Sequence, residues 1–196
     1  KMLLPLAGKP LIIRIIERLE RVKLADKLII AIPKTIENDK LEKVIKKKNV
    51  IIFRGSENNL VERYYYAAQK NNIKNIVRFP GDNCLPEPKE IDKIIKFYKK
   101  FSKPFFASNL SNILNNGYPD GIGAEIFGFN FLDDLMNKKL STSQKEHPHT
   151  NFFNYKTNKA INSKWCPVRT IKCDKKFRRP EIKLDVNTLS EYKYMK

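Results

Sequence analysis

Apolar positions follow two rhythms that alternate along this chain. Residues 11–22 place Leu11, Ile12, Ile15, Ile16, Leu19 and Val22 on one side of a 3.6-residue period with charged side chains opposite, which predicts an amphipathic helix. Residues 27–32 (KLIIAI) form a short unbroken apolar run, the pattern of a strand covered on both faces. The two rhythms then repeat. Helices are predicted over residues 39–47, 61–70 and 90–101, and strands over 50–53, 76–79 and 104–107. Helices interleaved with short buried strands predict an α/β fold: a mostly parallel mixed sheet with helices on both faces.

The second half is less regular. A turn-rich stretch at 115–123 (NNGYPDGIG) precedes a strand over 124–129 and a short helix over 131–137. Residues 168–172 and 182–184 read as strands, and 188–195 as a closing helix. Residues 141–164 are polar and irregular, as expected of a lid, a substrate loop or a subunit contact. With no internal repeat and no low-complexity linker, 196 residues predict a single domain with a substantial core.

Charge sharpens this less than its size suggests. The formal net charge is +18, yet only nine of the 39 basic side chains are arginine, and the lysines are spread along nearly the whole chain. A nucleic-acid stripe would concentrate arginine and interleave aromatics on one face. A solvated lysine surface is therefore the expectation, and nucleic acid is not an expected partner. No segment approaches the apolar length of a membrane span. The apolar opening of the chain is interrupted by Lys9 and continues into Arg14, Glu17 and Arg18, so it reads as an amphipathic helix rather than a signal peptide. Cys84, Cys166 and Cys173 form neither a CxxC pair nor a disulfide framework. Reduced thiols in the cytoplasm are expected.

Four constellations could carry chemistry. In NIVRFPGDN a strand runs into Gly81-Asp82-Asn83, and a carboxylate just past a strand end stands where open α/β sheets bind ligands. Gly81 would let the backbone turn sharply and approach a ligand, and Asp82 offers hard oxygen to Mg²⁺ beside a phosphate. The alternative is a turn whose Asp bonds only local backbone. Arg54-Gly55-Ser56 with Arg63 lies at a strand-to-helix junction, suited to a nucleotide base, ribose or phosphate, or equally to a simple helix cap. Leu184-Asp185-Val186-Asn187 again ends a strand in a carboxylate; Asp185 could share a metal with Asp82 or merely begin the last helix, and spacing does not bring the two together. Last, Glu125 and Glu146-His147-Pro148-His149 lie in the irregular half. They lack helical metal spacing, so hydrogen bonding to a polar substrate is the better functional reading.

Taken in order, the segments KMLLPLAGKPLI, FRGSENNLVERYYYAA, VRFPGDN, NGYPDGIGAEIF, KEHPHTNFF and RRPEIKLDVNTLSEY resemble the cytidylyltransferases that activate acidic sugars, especially their spore-coat polysaccharide branch, relatives of CMP-Kdo and CMP-sialate synthetases. The likeness spans essentially the entire chain. It implies a Rossmann-like nucleotidyltransferase fold and Mg²⁺-dependent transfer of CMP from CTP to an acidic sugar, giving a CMP-sugar and pyrophosphate. It further implies a nucleotide-binding half (residues 1–110), a sugar-binding and dimerisation half (residues 111–196), and a homodimer.

Residue by residue, the resemblance implies that Lys1 touches triphosphate oxygens and that Arg54, Gly55, Ser56, Arg63 and Gly81 line the nucleotide. Asp82 and Asp185 become metal ligands, and Glu125, Glu146 and His147 contact the sugar. The family's first strand and glycine-rich phosphate loop would precede Lys1, so a chain beginning at Lys1 is expected to transfer little by itself. Cys84 stands where the family often has proline. The readings left open are transfer from another nucleoside triphosphate, or a module that keeps the fold without catalysis.

Overall fold

In the computed structural model, which describes residues 1–196, the chain opens with a small hairpin of β1 (Pro5–Leu6) and β2 (Lys9–Pro10). Helix α1 (Leu11–Leu19) follows directly and buries Leu11, Ile12, Ile13, Ile15 and Ile16. Burying each such side chain contributes about 1.5–3 kcal/mol, enough for this face alone to fix the helix. It packs on β3 (Ile29–Pro33) and β4 (Ile51–Gly55), a parallel pair connected through α2 (Asp39–Ile45). Ile12, Ile13 and Ile16 there meet Ile32, Leu41 and Ile45.

Two further helices enter by side-chain caps. The Asn59 side chain accepts the Glu62 N–H at the start of α3 (Leu60–Lys70), which leads into β5 (Asn75–Arg78). In α4 (Pro88–Tyr98) proline occupies the first turn, where its missing N–H has no intrahelical partner to lose, and Glu87 accepts the Lys89 N–H. The remaining elements are β6 (Phe106–Ser108), β7 (Glu125–Gly128), α5 (Phe129–Met136), α6 (Thr142–Glu146), β8 (Phe153–Asn154), β9 (Lys159–Ala160), β10 (Val168–Arg169) and α7 (Leu189–Met195).

The main sheet has the order β10-β6-β7-β5. β10 runs parallel to β6, whereas β7 is antiparallel to both β6 and β5. The alternation of helix and strand predicts parallel neighbours, and that holds for β3 with β4 and for β10 with β6. It fails at β7 because β6 is followed by a long loop instead of a crossover helix, and the chain returns beside the strand it has just left. Register places Arg78, the last residue of β5, opposite Glu125, the first of β7. No ladder joins the β3–β4 pair to this sheet.

The irregular residues 141–164 do more than line a surface. Phe152 and Phe153 are fully buried with Phe106, Phe127 and Phe131. The Phe152 ring stacks on Phe106 at 5.0 Å and on Trp165 at 5.6 Å. A capping box of Ser141 and Gln144 starts α6. The segment is thus anchored by aromatic burial, with Asn151 the polar residue buried beside it and most of the other polar residues outside. No helix is long and apolar enough to cross a membrane.

Candidate active site

Three backbone segments meet beyond the C-terminal end of β5. The chain leaves Arg78 and turns through Gly81-Asp82-Asn83, and residues 182–186 run back alongside that turn. Val186 donates its N–H to the Asp82 carbonyl at 2.8 Å, Leu184 donates to the Asp120 carbonyl at 3.0 Å, and Asp120 donates to the Ile182 carbonyl at 2.9 Å. Asn83 is bridged antiparallel to Asp185, and Asp120 parallel to Lys183. Asp82, Asp120 and Asp185, far apart in sequence, are thereby gathered by one short strip of backbone pairing.

Gly121 makes the third segment fit. Its φ is +104°, and a Cβ there would lie 3.1 Å from Asn83 Oδ1 and 3.2 Å from Leu184 Cβ. A left-handed conformation and close packing both exclude a side chain at this point. Gly81 is different: its φ is not in the left-handed range, and a Cβ would meet only Met2 Cε at 3.8 Å. The turn at Gly81 therefore does not depend on glycine, contrary to the sequence reading.

The gathered carboxylates repel one another. Burial, then Asp185, pushes the Asp120 carboxyl up to about 6, with Asp82 and Glu125 adding to the rise and Lys183 opposing it. The Asp185 carboxylate accepts a short hydrogen bond from Asn187 Nδ2. No three His, Cys, Asp or Glu side chains close on one point tightly enough to cage a metal unaided. What the site offers is a partial set of hard oxygens. That suits Mg²⁺, which keeps several waters and takes one or two carboxylates together with phosphate oxygens.

Beside this set lies a buried polar cluster. Arg78 and Glu125 are 7% and 1% exposed, and Arg78 Nη1 donates to Glu125 Oε2 at 2.5 Å. Tyr155 Oη donates to Glu125 Oε1 at 3.2 Å. His149 Nδ1 is 3.4 Å from Arg78 Nη1 and 4.0 Å from Glu125 Oε1. The Arg78 guanidinium also lies 6.0 Å from the centre of the Tyr64 ring on α3. Against desolvation, the Glu125 charge holds Arg78 firmly in its cationic form. Burial pushes the His149 imidazole below its ordinary value, Arg78 and His147 adding to the effect and Glu125 and Asp82 opposing it.

At the end of β4 the sequence constellation divides. Arg54 turns away to α2, donating to Asp39 at 2.6 Å, Glu42 at 2.6 Å and the Thr35 carbonyl at 2.5 Å. Its charge is spent on holding α2, so it is not free for a nucleotide. Arg63, 8% exposed on α3, donates Nη1 to the Ser56 carbonyl at 2.9 Å, and its Nε has no partner. Desolvation pushes its guanidinium below the ordinary value, with no carboxylate bonded to it. Gly55 accommodates this arrangement, since a Cβ there would fall 2.7 Å from Phe53 Cε1 and 3.0 Å from Arg63 Cγ.

Lys1 is exposed. It contributes to lowering the Glu191 carboxyl, which is held down chiefly by the N–H groups of Thr188 and Asn187 at the start of α7. The Tyr192 hydroxyl of that helix donates to the Pro5 carbonyl, so the N-terminal segment and α7 are tied beside Asp185.

Of the predicted residues, the structure brings Asp82, Asp185 and Glu125 into one neighbourhood, with Gly55, Ser56 and Arg63 forming a unit at the end of β4. Glu146 and His147 are exposed, the His147 ring 5.8 Å from that of His149, and it is His149 that reaches the Glu125 cluster. Sequence reasoning missed Asp120, Arg78 and Tyr155, and although it named His149 beside His147, the resemblance assigned the sugar contact to His147. Asp120 carried a signal, since it precedes a glycine in a turn-rich loop as Asp82 follows one. Arg78 carried none, because an Arg closing a strand reads as solvated until its cross-strand partner is known.

Comparison with known proteins gives the fold its relatives. The profile of a family described as Cytidylyltransferase matches residues 1–192. The chain is 26% identical over 201 residues to the spore coat polysaccharide biosynthesis protein SpsF of Bacillus subtilis, covering 100% of this chain and 78% of that protein. A solved cytidylyltransferase structure from Leptospira borgpetersenii superposes with a TM-score of 0.84 at 24% identity, covering 98% of this chain and 76% of the other. A CMP:2-keto-3-deoxy-manno-octonic acid synthetase solved with CTP gives a TM-score of 0.64 at 12% identity, over 88% of this chain and 83% of that one. At these identities the two structures establish the shared α/β nucleotidyltransferase fold.

Proposed function

This chain belongs to the cytidylyltransferase family, and on that premise we propose that it transfers CMP from CTP to a hydroxyl of an acidic sugar. The products are a CMP-sugar for surface-polysaccharide synthesis and pyrophosphate. The observation that carries the reading is the backbone pairing that gathers Asp82, Asp120 and Asp185 beyond the C-terminal end of β5. Asp82 and Asp185 would hold Mg²⁺, which when bound neutralises phosphate charge and acidifies an attacking hydroxyl.

The chain's own residues supply the rest. Arg63 is a buried cation with no carboxylate bonded to it, and with Gly55 and Ser56 it is placed to receive an anionic nucleotide at the end of β4. Lys1 adds positive potential on the Asp185 side of the site. The sugar hydroxyl attacks the α-phosphorus in line as the bond to pyrophosphate breaks. No covalent enzyme intermediate is needed, so none of the three buried cysteines has to act as a nucleophile. Free thiols are also in keeping with a cytoplasmic enzyme. The SpsF relative supports the polysaccharide assignment, and the synthetase solved with CTP supports the choice of nucleotide.

The test is a comparison of nucleotides by thermal shift. With Mg²⁺ present, CTP is expected to raise the melting temperature above the values seen with UTP, ATP or GTP, and the full protein is expected to release pyrophosphate from CTP only when a sugar is added. Equal shifts with every nucleotide, or pyrophosphate release independent of sugar, would sink the reading.

A further inference from the structure

We propose that His149 recognises the acceptor, donating a hydrogen bond from Nε2 of a neutral imidazole to an uncharged oxygen of the sugar. This rests on the transfer reading above and assigns a residue and a chemical class to its acceptor side.

The tautomer follows from the neighbours. A guanidinium can donate but cannot accept. Arg78 Nη1 has two N–H groups: one is directed to Glu125 Oε2 at 2.5 Å, which leaves the other for His149 Nδ1 at 3.4 Å. Nδ1 must therefore present its lone pair, and in a neutral ring the proton then resides on Nε2. Glu125 Oε1 does not compete for an Nδ1 proton, since it lies 4.0 Å away and already accepts from Tyr155 Oη. Burial favours the neutral ring, and the Arg78 charge works with it against that of Glu125.

The ring is also held in place. Tyr155 meets it edge-to-face with ring centres 5.2 Å apart. Pro148 beside it is buried, and Asn151 clamps the loop by donating Nδ2 to the carbonyls of Gln144 at 3.0 Å and Pro148 at 3.1 Å. Nδ1 faces inward to Arg78, and the His149 side chain keeps 23% of its surface exposed. Nε2 bonds to no group of the protein and is not enclosed, so it is the ring nitrogen left to a substrate. A fixed neutral donor next to the metal-binding carboxylates is suited to positioning a substrate.

The chemical class follows from the charges. The one cation of this cluster, Arg78, is paired with Glu125, and Asp82 and Asp120 stand nearby. Lys183 acts on Asp120 and not on His149, so no unpaired lysine or arginine faces the imidazole to receive a carboxylate there. The oxygen that meets His149 is therefore a hydroxyl or carbonyl, and an acidic sugar would direct its carboxylate elsewhere.

Two measurements test this. In ¹⁵N-labelled protein at pH 7, His149 is expected to show a protonated Nε2 and an unprotonated Nδ1; a protonated Nδ1 overturns the proposal whatever the enzyme's substrates are. Full protein carrying His149→Phe is then compared with His149→Gln, which retains a neutral donor, using whichever sugar of a panel of neutral and acidic free monosaccharides supports pyrophosphate release. His149→Phe is expected to raise the sugar KM about tenfold or more, the size of one lost hydrogen bond of about 1.4 kcal/mol, with CTP KM unchanged, and His149→Gln to restore most of it. Equal sugar KM in wild type and His149→Phe overturns the proposal while leaving the transfer reading intact. Wild-type protein that releases no pyrophosphate with any sugar overturns both, and is distinguished from the first failure by the wild-type assay alone.

Discussion

Val186 donates its backbone N–H to the carbonyl of Asp82 across 2.8 Å, from the far end of the chain. That bond, with the Asn83–Asp185 bridge, turns two carboxylates that each look like local turn or cap residues into neighbours. The consequence is testable in both. Asp82→Asn and Asp185→Asn are each expected to remove the Mg²⁺-dependent part of the CTP thermal shift. They should also cut pyrophosphate release by the full protein by on the order of 10²–10³, the usual cost of losing one element of transition-state charge stabilisation. Melting of the ligand-free variants should stay at or above wild type, because a mutual repulsion is relieved. A variant that keeps its Mg²⁺-dependent shift takes that residue out of the metal site.

Asp120 gives the same site a pH signature. Its carboxyl is raised to about 6 in the folded protein by burial and by its acidic neighbours, against about 3.9 in an unfolded chain. Between those values the folded state binds more protons than the unfolded state, so this group makes stability fall as pH rises from about 4 to about 6. Partial exposure screens the effect to about 1 kcal/mol, or roughly 2–4 °C in a chain of this size. Asp120→Asn is expected to melt that much higher than wild type at pH 7 and to flatten the decline. Thermal melts across the interval check this; an unchanged profile in the variant assigns the decline to other groups.

The helices and buried strands were legible in the chain because each is set by local periodicity, as in the Leu11–Ile16 stripe that α1 buries. The direction of β7 was not, since it depends on a loop returning instead of a helix crossing over. Asp82 was legible as a strand-end carboxylate, whereas its company was not, because pairing of residues 182–186 with 82 and 120 is long-range and leaves no mark on spacing. The two histidines show the limit at finer scale. Their polar, proline-containing context singled out the segment, but loop geometry decided that His149 reaches Arg78 and Glu125 while His147 stays exposed.

Gly55 and Arg54 separate the two roles that the sequence joined at the end of β4. Gly55→Ala places a Cβ 2.7 Å from Phe53 and 3.0 Å from Arg63. Relief must come from shifting buried side chains, at about 1–3 kcal/mol. The variant is expected to melt several degrees lower and to lose most of its response to CTP as Arg63 is displaced. Arg54→Ala breaks the contacts to Asp39 and Glu42 and should lower the melting temperature slightly with the CTP response intact. The ratio of CTP affinities in the two variants decides the matter: equal losses would put Arg54 back at the nucleotide.

The buried pair of Arg78 and Glu125 makes the last prediction, because its partners are so unequally replaceable. Arg78→Met leaves Glu125, 1% exposed, as an anion with only the Tyr155 hydroxyl bonded to it. Stranding one charge of a buried pair costs about 3–5 kcal/mol, so this variant is expected to melt about 10 °C below wild type. Adding Glu125→Gln removes the stranded charge and should recover a large part of that loss. Recovery of fold need not bring back function: the double variant also lacks the donor that fixes Nδ1 of His149, so His149 should lose its single tautomer in the ¹⁵N spectrum even where melting is restored. If the tautomer persists in the double variant, Arg78 is a fold-stabilising residue and the imidazole is held by something other than its guanidinium.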